Sequence, residues 1–202
     1  MLTFYTNPMS RGRIARVMLE EIGEPYETVV LDYGTTMKAP DYLAVNPMGK
    51  VPAVVHDGAV VTECAAICTY LAMAFPEKGL MAEDKAAFFR WMFFAAGPLE
   101  QAVVNTSFGW KATRPEDRGR IGYGTLEDVV RTLAGHLTVQ DYIADNRFTA
   151  ADVYVGSQIG WGLQFGTLPA DPAFISYWNR IKDRPARAAA DAKDNALMEK
   201  KP

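Results

Sequence analysis

Residues 46–66, NPMGKVPAVVHDGAVVTECAA, decide how the chain is read. Val51 to Val55 and Ala59 to Thr62 are β-branched runs separated by Asp57-Gly58, and Asp-Gly supplies the positive φ angles that a two-residue hairpin turn demands. The stretch predicts two short strands joined by that turn. Pro52 has no N–H for a strand ladder, so it belongs at the mouth of the first strand, where the Val51–Pro52 bond is a candidate for the cis isomer. A cis bond would leave the Val51 amide and carbonyl facing outward, free to pair with an extended peptide. Thr62-Glu63-Cys64 then opens a helix, whose unpaired amides and dipole favour a carboxylate. The segment has the parts of a site for a small acidic peptide.

Upstream, Leu2 to Thr6 reads as a strand broken by Asn7-Pro8. Ser10 can cap the helix that follows, in which Ile14, Val17, Met18, Leu19 and Ile22 form an apolar stripe ending at Gly23. Tyr26 to Leu31 makes a second strand, and the strand-helix-strand order predicts parallel pairing. With the hairpin and a helix over 65–74, residues 1–80 read as a small α/β domain, βαβ-ββα. From Glu83 onward strand signals vanish, so 84–202 is expected to be an all-helical domain, the boundary falling between Pro76 and Asp84. Gly97-Pro98 should kink the helix over 85–104, and 116–141 reads as one long helix. Thr149 and Asp152, three apart, form a capping box for a largely uncharged central helix over 150–165, a folding role. After a helix over 172–182, residues 186–198 read as a polar, looser tail.

A net charge of −3, with 49% hydrophobic and 22% charged residues, argues against nucleic acid or an anionic membrane surface as the main partner, since either needs a basic patch. The one basic cluster, Arg11 to Arg16, lies on a helix and reads as a solvated face. The two cysteines, Cys64 and Cys68, read as core thiols, and no Cys or His spacing suits a metal. Without a signal peptide or an apolar run of about 18 residues, the chain is expected to be soluble and cytoplasmic. His56 and His136 are expected to face solvent.

TNPMSRGRIARVMLEEIGEPYE, NPMGKVPAV, TECAAICTYL and FTAADVYVG together resemble the cytosolic glutathione S-transferases, in particular their bacterial members, along the whole chain. The resemblance implies a thioredoxin-like domain followed by an all-helical one, and a detoxifying transfer of the glutathione thiol to small electrophiles, generally by a homodimer. Glutathione would be a co-substrate, and no metal is implied. Ser10, at the loop-to-helix position, would hold the thiolate beside Arg11 and Arg13, although the same hydroxyl can simply cap the helix. Tyr5 is the rival donor, or a core residue. Val51, beside Pro52, would pair with the cysteinyl unit, and Glu63 with Cys64 would hold the γ-glutamyl end. Cys64 stands where the family carries a hydroxyl residue, which shifts carboxylate binding toward the backbone amide. Lys50 and Lys38 would meet the glycyl carboxylate or remain surface charges. An apolar electrophile site between the domains would draw on Met9, Phe108, Trp110, Tyr123, Trp161 and Phe165, the last two being also candidates for core packing. A thiol-redox enzyme would want cysteine at position 10, and a non-catalytic glutathione-binding protein is the other alternative.

Overall fold

The computed structural model describes residues 1–110, 112 and 114–199. The chain divides into two compact units: Met1–Met81 together with the chain from Asp183 onward, and Ala82–Lys182. The fold is a thioredoxin-like sheet domain plus an all-helical domain.

The first unit begins with β1 (Leu2–Thr6), α1 (Gly12–Ile22), β2 (Glu27–Val30), α2 (Pro40–Val45), β3 (Ala53–His56), β4 (Ala59–Thr62) and α3 (Cys64–Ala74). Strand order is β2-β1-β3-β4; β1 and β2 run parallel, and the other pairings are antiparallel. The hairpin closes through Asp57 at φ 49° and Gly58 at φ 86°, with His56 opposite Ala59. Both φ values are positive, as a type I′ turn requires. Successive strand side chains point to opposite faces. Leu2, Phe4 and Thr6 are therefore buried on the face carrying α1, while Tyr5, opposite Ala53 and Val29, packs with Tyr42, Met37 and Leu31 on the other.

In the second unit, α4 (Lys85–Phe94) is capped by Asp84, which accepts from the Ala87 amide at 2.9 Å. The kink expected at Gly97-Pro98 takes the form of a wide π turn over Ala95–Leu99, leading into α5 (Glu100–Ser107). The single helix expected over 116–141 is instead a short turn, α6 (Pro115–Arg118), and a separate α7 (Leu126–Val139). Thr125 and Asp128 form the α7 capping box, the same Thr-x-x-Asp signal that starts α8 (Ala150–Phe165) at Thr149 and Asp152. Asp152 is fully buried and accepts from the Thr149 and Ile143 amides, both at 2.9 Å, and from the Tyr177 hydroxyl at 2.8 Å. Tyr177 lies on α9 (Pro172–Ile181), so one carboxylate joins the start of the central helix to its neighbour.

Residues 186–198 are not a loose tail. They belong to α10 (Pro185–Glu199), which returns to pack on α1, so the chain from Asp183 joins the sheet domain rather than the helical one expected to span 84–202. The contact carries several charge pairs. Arg16, expected on a solvated face, is 2% exposed; its Nε donates to Asp194 Oδ1 at 2.9 Å, and its guanidinium lies 5.0 Å from the Phe4 ring centroid. Arg184 adds a two-pronged pair with Glu21 at 2.6 and 2.7 Å, and Lys193 meets Glu20 at 2.6 Å. Among the described residues no helix is long and apolar enough to cross a membrane.

Burial raises the Asp194 pKa even with Arg16 alongside, so the pair is held at a desolvation cost. Arg16→Ala is expected to lower unfolding free energy by about 3–5 kcal/mol, because it leaves a buried carboxylate unpaired. Urea denaturation checks this, and the Arg16→Met/Asp194→Leu double variant should lose less than Arg16→Ala alone.

Candidate functional site

Three connections meet at one end of the sheet, because β1 ends, β3 begins and β4 ends there: Tyr5 pairs with Ala53, and Ala53 with Thr62. These are residues 7–11, 46–52 and 63–64.

Asn7 builds the first. It is fully buried; its Nδ2 donates to the Leu31 carbonyl at 2.7 Å, and its Oδ1 accepts from the Met9 amide at 3.0 Å. Its carbonyl accepts from the Ser10 amide at 3.1 Å and the Ser10 hydroxyl at 2.7 Å. Ser10 Oγ in turn accepts from the Gly12 amide at 2.9 Å, so the hydroxyl does take up a free amide at the helix start. Gly12 lets α1 approach β1 closely: a Cβ there would lie 2.0 Å from Thr6 Oγ1.

The second connection repeats the device. Asn46 Oδ1 accepts from the Met48 amide at 3.1 Å, its carbonyl accepts from the Gly49 amide at 2.8 Å, and its Nδ2 donates to the Lys50 carbonyl at 2.8 Å. Both turns read Asn-Pro-Met, and both use the Asn side chain as a surrogate backbone. Asn7-Pro8 was expected as the break after the first strand, and the same Asn-Pro-Met triplet at 46–48 carries the same local turn signal. The Tyr42 hydroxyl also donates to the Lys50 carbonyl, at 2.5 Å, and burial pushes its pKa up to about 12. Gly49 sits at φ +57°, where a Cβ would lie 2.7 Å from the Met37 carbonyl. Val51–Pro52 is cis, and the ladder begins only at Ala53, which leaves the Val51 main chain outside it.

In the third, Glu63 is exposed and holds φ 66° immediately before α3. For a non-glycine residue this is a sparsely populated conformation, of the kind that concentrates at ligand-binding positions. Cys64 is buried, and its thiol donates to the Arg11 carbonyl at 3.6 Å, joining this connection to the first. Cys68, also buried, has its pKa raised well above the ordinary thiol range by the adjacent Cys64 thiol and by burial.

The structure thus brings Ser10, Arg11, Val51, Pro52, Glu63 and Cys64 to one end of the sheet. It does not bring Tyr5 to Ser10: Tyr5 lies on the opposite face, its ring centroid 5.4 Å from that of Tyr42. Lys38 donates to the Met48 carbonyl at 2.9 Å, shaping the second connection, and Lys50 is exposed beside it. Met9 is exposed in the Ser10 turn, its carbonyl accepting from the Tyr33 hydroxyl at 3.2 Å.

The other residues expected at an electrophile site lie in the second unit. Phe108 and Trp110 stack with centroids 5.0 Å apart and are 65% and 63% exposed. Tyr123 accepts from Asn105 Nδ2 at 3.1 Å and, with Trp110, lines a cavity of about 290 Å³. Trp161 is half-buried, whereas Phe165, also a candidate for the core, is 68% exposed. A larger groove of about 970 Å³, lined by Val103, Leu126, Val130, Ala134, Leu168 and others, contains none of the expected residues. The histidines do not face solvent freely. His56 hydrogen-bonds the Tyr70 hydroxyl at 3.1 Å and stacks on Phe75, while His136 lies 4.3 Å from the Trp91 ring and 2.8 Å from the Ile143 carbonyl, its pKa lowered mainly by burial. Among the described residues, no group of three or more His, Cys, Asp or Glu is placed to hold a metal ion.

Residues 9–74 match the family profile described as the glutathione S-transferase N-terminal domain. The chain is 30% identical to glutathione S-transferase GST-4.5 of Xanthomonas campestris pv. campestris, over 95% of this chain and 98% of that one. It is 28% identical to glutathione S-transferase GstA of Escherichia coli O157:H7, over 92% and 94%. Among solved structures, a sphingomonad glutathione S-transferase complexed with glutathione aligns with a TM-score of 0.77 at 29% identity, covering 96% of this chain and 98% of that one.

Burial of both thiols has a direct readout. A water-soluble thiol reagent should modify neither Cys64 nor Cys68 within minutes in the native protein, and both after unfolding in denaturant. A fast-reacting native thiol would contradict the placement.

Proposed function

The chain belongs to the glutathione S-transferase family, and we propose that it conjugates the glutathione thiolate to small hydrophobic electrophiles, with Ser10 as the thiolate's partner. The observation that carries the reading is the convergence of the three connections at one sheet end, with the Val51 main chain outside the ladder and Ser10 Oγ at the start of α1.

In this reading the tripeptide lies extended along residue 51, its cysteinyl unit paired with the Val51 main chain. Its γ-glutamyl end meets Glu63 and the first amides of α3. The Cys64 thiol is turned toward the Arg11 carbonyl, so the carboxylate rests on main-chain N–H groups and the helix dipole rather than on a side-chain donor. Exposed Lys50 meets the glycyl carboxylate, and Lys38 acts by holding the loop. Arg11 adds positive potential next to Ser10.

The chemistry asked of Ser10 is to favour S⁻ over SH in a thiol whose ordinary pKa is about 8.5. Its proton points at the Asn7 carbonyl, at 2.7 Å, so donating to sulfur means exchanging one acceptor for another. A neutral hydrogen bond is worth about 1 kcal/mol net, whereas one to an ion is worth roughly 1.5–3 kcal/mol. The exchange therefore favours the thiolate. The remaining rate comes from holding nucleophile and electrophile together. Met9 offers apolar surface in the Ser10 turn, and Phe108, Trp110 and Phe165 are exposed aromatic surface suited to a flat, apolar electrophile.

A homodimer belongs to the same reading. Phe89 and Phe93, four apart on α4, are both exposed, Phe93 at 72%, and a second copy would cover them.

Ser10→Ala is expected to lower kcat/KM for a generic aryl halide about ten- to a hundredfold at pH 7, while Tyr5→Phe changes it less than about threefold. Equal losses, or none in either, would remove Ser10 from its role. Phe93→Glu should shift sedimentation from dimer to monomer.

A further inference from the structure

We infer that Arg13 is a positioning residue for the thiolate site, through which the C-terminal helix α10 holds the turn that carries Ser10. Arg13 and Arg16 lie three apart on α1, on the face that meets Asp191, Asp194 and Asn195 at matching helical spacing on α10. Their duties differ. Arg16 is buried and joins the two helices. Arg13 reaches further: its Nε donates to the Pro8 carbonyl at 2.7 Å, and its Nη2 donates to Asn195 Oδ1 at 2.7 Å. Nη1 lies 3.4 Å from Asp191 Oδ1, and Met198 Sδ lies 3.7 Å from Nη2.

Pro8 sits between Asn7, whose carbonyl holds the Ser10 hydroxyl, and Met9, whose amide is held by Asn7 Oδ1. The Pro8 carbonyl is the outer corner of that turn, and Arg13 is what grips it. A planar guanidinium donates in several directions from one rigid fork, so a single side chain can fasten the corner and be fastened by α10 at once. An ammonium in its place is a point charge on a flexible stem and cannot reproduce both directions. A residue on the last helix, more than 180 positions along the chain, thereby bears on where the hydroxyl of Ser10 stands. Arg13 contributes here through geometry, not as a charge facing sulfur, because its guanidinium is committed to Pro8 and to α10.

The inference rests on the Ser10 reading, and the experiment separates the two. Four full-length variants are compared with the parent: Ser10→Ala, Arg13→Ala, Arg13→Lys and the double variant Asp191→Ala/Asn195→Ala. Three quantities are read: hydrogen exchange of the Met9 and Ser10 amides, the pKa of bound glutathione from thiolate absorbance near 240 nm, and kcat and KM for glutathione. Arg13→Ala and Arg13→Lys should both speed exchange at Met9 and Ser10, raise the thiol pKa, and lower kcat about tenfold with a smaller change in KM. The double variant should show a weaker form of the same pattern while retaining the Arg13 charge. Full rescue by Arg13→Lys would overturn positioning in favour of a point charge, and unchanged exchange in both Arg13 variants would overturn it outright. Faster exchange with an unmoved thiol pKa overturns the link to chemistry if Ser10→Ala raises that pKa. If Ser10→Ala leaves it flat as well, the Ser10 reading falls and takes this inference with it.

Discussion

The carboxamide of Asn7 ties the end of β1 to the Leu31 carbonyl after β2 and, through Oδ1, to the Met9 amide inside its own turn. A buried amide side chain must be hydrogen-bonded or carry a desolvation penalty of about 1–3 kcal/mol. Its bonds therefore leave the turn little freedom. Everything proposed for the thiolate hangs on that turn, since the Ser10 hydroxyl is placed by the Asn7 carbonyl on one side and the Gly12 amide on the other. The second turn, at Asn46, does for the Val51 main chain what the first does for Ser10.

A site built on main-chain groups tolerates changes that a site built on side chains would not. Cys64 is a poor hydrogen-bond donor, and it is turned inward to the Arg11 carbonyl. In the proposed reading the carboxylate partner is the start of α3, whose amides are supplied by any residue type. What cannot vary as freely is backbone conformation. Glu63 holds a positive φ, and Gly49 occupies a place where a side chain would meet the Met37 carbonyl. These positions are where the chain departs from ordinary local preference, and they flank the residues assigned to the tripeptide.

The α1–α10 contact joins the two ends of the chain within one unit, and it is polar at its centre. The buried Arg16–Asp194 pair is not an efficient route to stability, since burial raises the Asp194 pKa despite the cation. Its evident consequence is alignment. Arg16 with Asp194 and Arg13 with Asn195 fix how the last helix lies along the first, so the grip on the Pro8 carbonyl comes with a defined register.

Short-range chemistry was readable from the chain alone. The Asp57-Gly58 hairpin, the cis proline at 52, the Thr149–Asp152 capping box and the irregular turn at Gly97-Pro98 each depend on a few adjacent residues, and the family's segments lay in view. The turn at Asn7-Pro8 was equally local and equally legible, and the Thr125–Asp128 box and the Asn46 turn carry signals just as short in range. Other features had no local signal. Arg16 looks like a surface cation until α10 arrives from 178 residues away, residues 186–198 look like a tail until α1 offers them charge partners, and strand alternation puts Tyr5 opposite Phe4 without saying which helix covers which face. Phe165 keeps the apolar character of a core residue yet stands exposed beyond the packed length of α8. Burial and charge pairing are properties of what approaches from elsewhere, so only the folded chain decides them.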